Sequence, residues 1–183
     1  MAIFPKPYAD FVQRLRVPLG ILAAGGFGWF SQPTLRSLLT GFPVALAGMA
    51  LRSWAAGHLR KDETLTTSGP YAWVRNPLYL GTLLGLLGCL ASAAQPVLAL
   101  ATLIAFVLIY TPVVEQEESH LREIFPAYAA YAMRVPALVP WPPRAPSELR
   151  FCWAVWRRNK EYKGLLALGW AYAFLIGKAL LSA

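Results

Sequence analysis

The chain has 183 residues, of which 57% are apolar, a mean hydropathy of +0.45 and a formal net charge of +8. It is too apolar for an ordinary soluble domain of this length, and a membrane protein is the first expectation. The surplus of cations is accounted for by membrane topology and by attraction to anionic headgroups, so nucleic acid is not expected as a partner.

A spanning helix needs about 20 largely apolar residues to cross a hydrocarbon core about 30 Å thick, where no water satisfies exposed backbone groups. The first such stretch runs from Val17 to about Phe30, between Arg14 and Arg16 and the break at Ser31-Gln32-Pro33. The opening Met-Ala-Ile-Phe-Pro-Lys-Pro lacks the apolar core and small-residue site of a cleavable signal, so this span is expected to act as an uncleaved anchor. The second runs from about Leu38 to Ala56 and closes on His58-Leu59-Arg60-Lys61-Asp62-Glu63. The third starts at Leu78 and continues to about Ala94, where Gln95-Pro96 turns the chain into a fourth, from Val97 to about Val114. Glu115-Gln116-Glu117-Glu118-Ser119-His120-Leu121 would carry that helix out of the membrane. Its carboxylates, near a helix carboxyl terminus, oppose the macrodipole, and a bound cation or hydroxyl-rich ligand would relieve this. Phe125 to Tyr131 predicts a short helix, followed by extended, proline-rich chain. Trp153, Trp156, Arg157, Arg158 and Lys160 read as an interfacial anchor. A last apolar stretch, Gly164 to Leu181, is long enough to span.

Lys and Arg in short loops stay on the cytoplasmic side. Lys6, Arg14, Arg16, Arg52, Arg60, Lys61, Arg75 and the cations from Arg122 to Lys163 then share one side, with only Arg36 and Lys178 opposite. This predicts an all-α polytopic protein of about five transmembrane helices, or four and a re-entrant hydrophobic tail, with a cytoplasmic amino terminus and residues 1–183 forming one domain. The polar residues gather between Gly57 and Asn76 and between Glu115 and Lys163, so the active site is expected there, on the cytoplasmic face. Cys89 and Cys152 lack metal-ligand spacing and read as small apolar-environment residues; no metal site is expected.

The most informative string is Thr64-Leu65-Thr66-Thr67-Ser68-Gly69-Pro70-Tyr71-Ala72-Trp73-Val74-Arg75-Asn76-Pro77-Leu78-Tyr79-Leu80-Gly81. Gly69-Pro70 makes a turn, and Arg75-Asn76-Pro77 sets a cation and an amide at the start of a helix. Such a helix terminus at a membrane surface suits an anion, which makes Arg75 a candidate to hold a carboxylate or phosphate. His58 and His120 are the two histidines, and His58 is kept as a ligand candidate.

Together with Glu117-Glu118-x-x-Leu121, Phe125, Tyr128, Tyr131 and Arg134-Val135-Pro136, this string resembles the isoprenylcysteine carboxyl methyltransferase family and its phospholipid methyltransferase relatives, over about Gly57 to Pro140. The resemblance implies a polytopic enzyme that binds S-adenosylmethionine in a cytoplasmic pocket closed by the carboxyl-terminal segment and admits lipophilic substrates sideways from the bilayer. It implies that Arg75, Asn76 and Tyr79 adjoin the cofactor, that Glu117 and Glu118 accept hydrogen bonds from its ribose or ammonium, and that Gly69, Pro70 and Tyr71 shape the wall. Arg75 and Glu118 are the expected catalytic residues, with Glu118 or a water taking the proton from an amine acceptor. The family's usual motif is Arg-His-Pro-x-Tyr; here Asn76 replaces the histidine, and an amide cannot take up a proton at neutral pH. The acceptor could be a phospholipid amine, an isoprenylcysteine-like carboxylate, or a smaller lipophilic thiol or amine. Two other readings stay open: a membrane sterol or enone reductase using a nicotinamide cofactor, and a non-catalytic membrane scaffold.

Overall fold

The computed structural model describes residues 20–142 and 150–182, all of whose regular elements are helical. They are α1 (Gly20–Phe30), α2 (Leu35–Ala56), a 3₁₀ turn (Gly69–Ala72), α3 (Pro77–Ala93), α4 (Pro96–Ile124), α5 (Tyr128–Arg134), α6 (Trp153–Arg158) and α7 (Tyr162–Leu181). All five apolar stretches expected from the sequence are helices. Three of them, α2, α4 and α7, are long and apolar enough to cross a membrane, while α3 has 17 residues. The start of the first expected span, Val17 to Leu19, and the cations Lys6, Arg14 and Arg16 lie outside the described residues.

The helix boundaries follow local chemistry. Helix α2 begins at Leu35, three residues before the expected start, because Thr34 and Ser37 form a reciprocal capping box: Ser37 N–H donates to Thr34 Oγ1 at 3.1 Å and Thr34 N–H to Ser37 Oγ at 2.9 Å. Proline at the first position starts both α3 and α4, and Ala94, in the left-handed conformation (φ 53°), ends α3 one residue before the turn at Gln95. Helix α4 runs on to Ile124, so the acidic run is its last turns, as the sequence reading expected.

Helices α2 and α3 pack antiparallel at very close range. A side chain on Gly88 of α3 would lie 2.6 Å from Ala45 Cα of α2, and Gly48, Gly81 and Gly41 are confined similarly. Helices without a hydrophobic drive toward one another in lipid gain from such backbone proximity. Gly88→Val should therefore prevent assembly of a monodisperse protein in detergent, read by size-exclusion chromatography.

Helix α7 lies along both. Its Tyr172 hydroxyl is 2.7 Å from Ser92 Oγ, and its ring meets Phe42 edge-on. At one end of the bundle, Lys178 donates to the carbonyls of Gly28 and Trp29, closing the carboxyl terminus of α1. At the other, Arg52 of α2 donates to Glu161, just before α7, at 2.6 and 3.1 Å. Helix α4 stands apart, little of its apolar length fully buried, and is only loosely set against α3.

Candidate functional site

A cavity of about 550 Å³ opens at the Arg52 end of the bundle, where the amino terminus of α3, the last turns of α4, helix α5 and the chain between α2 and α3 converge. The residues around Arg75 and those around Pro136, far apart in sequence, are joined by main-chain hydrogen bonds. Arg75 N–H donates to Pro136 O (2.8 Å), Asn76 N–H to Ala137 O (3.2 Å) and Trp141 N–H to Trp73 O (2.9 Å). The two sequence blocks noted above thus form one wall.

Asn76 is the cap residue of α3, but its side chain does not cap. The amide donates to Glu118 Oε1 at 3.1 Å and to Ala137 O at 3.3 Å. The Arg75 guanidinium lies 3.3 Å from the same carboxylate and donates to Ala132 O. Arg122 approaches Glu118 at 4.0 Å, and the Tyr128 phenol is bonded to it. Burial, and then the Glu118 charge, push the Tyr128 phenol up to about 12. Glu118 is consequently engaged from several sides and does not line the cavity. The sequence reading turned it toward a ligand; neighbours on a helix point about 100° apart, and in the structure Glu118 faces α3 and α5.

Glu117 faces the cavity and accepts a hydrogen bond from the Tyr79 hydroxyl at 2.7 Å. Tyr79 meets Tyr110 edge-on at 5.7 Å, and Tyr110 stacks on Phe106 at 4.3 Å, giving the α3–α4 side an aromatic lining. Tyr71 and Tyr131 close the opposite wall, the Tyr131 hydroxyl donating to Tyr71 O at 2.7 Å. The Tyr71 hydroxyl is buried and has no hydrogen-bond partner among the described residues. Burial, followed by the Glu117 charge, holds its phenol far above the ordinary tyrosine range, so it remains neutral and able to donate. A buried unpaired hydroxyl costs free energy and so marks a place where a ligand group or water belongs. Tyr71→Phe should leave the thermal midpoint unchanged or slightly raised in differential scanning fluorimetry, because it removes a buried hydroxyl that no described residue satisfies.

Of the residues singled out from the sequence, Tyr71, Arg75, Asn76, Tyr79 and Glu117 line the cavity, whereas His58, Gly69, Pro70 and Glu118 do not. His58 is a packing residue: its Nδ1 is 3.0 Å from Trp54 O, and its ring fills the space beside Gly69, where an added Cβ would lie 2.7 Å away. Gly69 takes φ +57°, a conformation suited to glycine. Its role and that of Pro70 are to seat the turn that carries Tyr71.

Sequence reasoning does not mark Arg52, Thr82 and Tyr110 as site residues, although all three line the cavity. In sequence Arg52 counts only as a topological cation. It threads past Gly81 and is satisfied by Glu161, Leu78 O and the Thr82 hydroxyl. A lone arginine inside an apolar run is the signal that could have found it. His120, the second histidine, stands at the rim 3.4 Å from Asp62.

Residues 45–128 match the phospholipid methyltransferase family. The matched span takes in the second half of α2, the glycine-packed α3, all of α4 and Tyr128, and hence nearly every residue lining the cavity. The resemblance read from the sequence is thereby borne out. Over 114 residues the chain is 39% identical to the cobalt-zinc-cadmium resistance protein CzcN of Cupriavidus metallidurans, covering 61% of this chain and 51% of that protein. It is 35% identical over 114 residues to the nickel-cobalt-cadmium resistance protein NccN of Alcaligenes xylosoxydans xylosoxydans, covering 61% and 52%. The chain thus spans about half the length of these curated relatives. No solved structure matches it.

Proposed function

We propose that this protein is an integral membrane methyltransferase with five spans, α1 to α4 and α7, and a cytoplasmic cavity in which an amphiphilic or lipid-like acceptor receives a methyl group from S-adenosylmethionine. The observation that carries this reading is the cavity itself: a carboxylate, a neutral buried phenol without a partner among the described residues, and several aromatic faces, gathered almost wholly within the family-matched residues. S-adenosylmethionine supplies a methyl group activated by a sulfonium.

The cavity residues suit such a group. Glu117 accepts hydrogen bonds from ribose hydroxyls or an ammonium, Tyr71 donates one, and the Tyr79 and Tyr110 rings offer electron-rich faces to positive charge. Arg75 and Asn76 act through position, fixed by Glu118 so that the start of α3 keeps its place in the wall. Methyl transfer asks chiefly for alignment and exclusion of water, which a rigid wall provides. An amine acceptor must also lose a proton. In this cavity Glu117, rather than Glu118, faces the space where that proton is released. No histidine is needed for that step, so Asn76 is compatible with it.

Leu78, Thr82, Tyr110 and Val113 line the part of the cavity between α3 and α4, which are loosely packed against one another. That side supports entry of a lipophilic acceptor from the bilayer. The names of the two relatives favour a part in metal resistance, which for this chain we place in membrane chemistry. Among the described residues, no three His, Cys, Asp or Glu side chains gather so as to hold a metal ion.

The test is transfer of labelled methyl from S-adenosylmethionine by the purified protein in native lipid extract, with products separated by chromatography. A labelled lipid is the expected result. No labelled product together with no S-adenosylhomocysteine binding would sink the proposal, and nicotinamide nucleotide binding in its place would favour a reductase.

A further inference from the structure

We infer that residues 133–141, the end of α5 and the chain beyond it, form an apolar ridge seated in the headgroup layer of the membrane, so that the neighbouring cavity opens at headgroup depth. Helix α5 buries Tyr128 and Tyr131 against the site and turns its other face outward. Met133 is 84% exposed, Val139 73% and Trp141 62%, and all three border one shallow groove with Val135 and Pro136. So large a cluster of bare apolar side chains marks a surface that is covered by something.

Four observations identify the cover as lipid. The ridge is held rigidly: the hydrogen bonds from Arg75, Asn76 and Trp141 sew residues 136–141 to residues 73–76. Pro77 then begins α3, an apolar helix, so the ridge sits where that helix leaves the hydrocarbon. The exposed aromatics Trp73 and Trp141 are adjacent, and tryptophan concentrates at membrane–water boundaries, where an apolar ring and a polar N–H are both accommodated. Arg134, exposed at the end of α5, adds a cation beside the ridge, which suits an anionic leaflet. This inference rests on the membrane reading of the helices and is independent of the methyl-transfer reading.

The experiment uses the full chain in vesicles of phosphatidylcholine and phosphatidylglycerol. With Cys89 and Cys152 replaced by alanine, Val139→Cys and, separately, Glu123→Cys carry an environment-sensitive fluorophore; Glu123 is exposed on the last turn of α4. Quenching by lipid spin-labelled just below the headgroup is compared with quenching by aqueous iodide. The lipid-to-iodide ratio should be at least about threefold higher at position 139 than at 123. An equal ratio at the two positions would place the ridge in water and overturn the inference. Protection of position 139 from both quenchers would overturn it too, in favour of a protein cover such as residues 1–19 or a second copy. If the cysteine-free background fails to fold, Trp141→Phe in the unaltered chain serves instead. The emission lost on substitution should be blue-shifted and quenched by the labelled lipid, and a red-shifted, iodide-quenched component would refute the inference.

Discussion

Glu118→Ala should lower the thermal midpoint of the detergent-solubilised protein by about 5–15 °C, and S-adenosylhomocysteine binding should fall with it. The carboxylate holds Arg75 at 3.3 Å and Asn76 at 3.1 Å and is bonded to the Tyr128 phenol. Truncation would leave the Arg75 guanidinium, whose side chain is only 15% exposed, without its Glu118 countercharge; its Nε already lacks a partner among the described residues. Removing one member of such a half-buried pair costs about 2–4 kcal/mol, because the remaining charge stays desolvated. Glu118→Gln keeps an acceptor for Asn76 and should fall between wild type and alanine in both readouts. Differential scanning fluorimetry and calorimetric titration of the same samples separate the possibilities. Full stability with binding abolished would mean that Glu118 touches the ligand directly, as the sequence alone suggested.

The contrast between Glu117 and Glu118 indicates how far the sequence could be read. The apolar runs announced the helices because burial in lipid demands length and hydrophobicity, both visible in one dimension. Pro77, Pro96 and the Gly69-Pro70 turn marked boundaries because their backbone restrictions are local. The meeting of the Arg75 and Pro136 blocks was carried by the family resemblance, since nothing in either block encodes main-chain pairing across about 60 residues. What could not be read was direction. Two adjacent glutamates are chemically identical in sequence, and only the rotation of α4 against α3 and α5 gives one to the cavity and the other to the wall. His58 was similarly opaque: a histidine beside a polar loop gives no sign that its ring fills the space opposite Gly69. Arg52 was legible as an anomaly, a charge within an apolar run, but its partner Glu161 lies 109 residues away. Thr34 and Ser37 were the missed local signal, since a capping box is written in sequence and would have fixed the start of α2.

Glu117→Ala should have the opposite signature to Glu118→Ala: a thermal midpoint within about 2 °C of wild type, and S-adenosylhomocysteine affinity reduced about 10- to 30-fold. Its carboxylate faces the cavity, is solvent-accessible and pairs with the Tyr79 hydroxyl rather than with a buried charge, so its removal strands no ion. What is lost is a charge-assisted acceptor for ligand hydroxyls or an ammonium, together with the restraint on Tyr79 against Tyr110. Glu117→Gln divides two duties that alanine removes together. An amide oxygen still accepts a hydrogen bond, so binding should recover in large part. It cannot take up a proton, however, so transfer to an amine acceptor should remain slow at saturating ligand, while transfer to a carboxylate, which has no proton to lose, should recover with binding. The turnover of Glu117→Gln relative to its affinity therefore reports the chemical class of the acceptor before that acceptor is isolated. Equal recovery of binding and turnover would assign Glu117 to holding the ligand and would favour a carboxylate; recovered binding with depressed turnover would favour an amine.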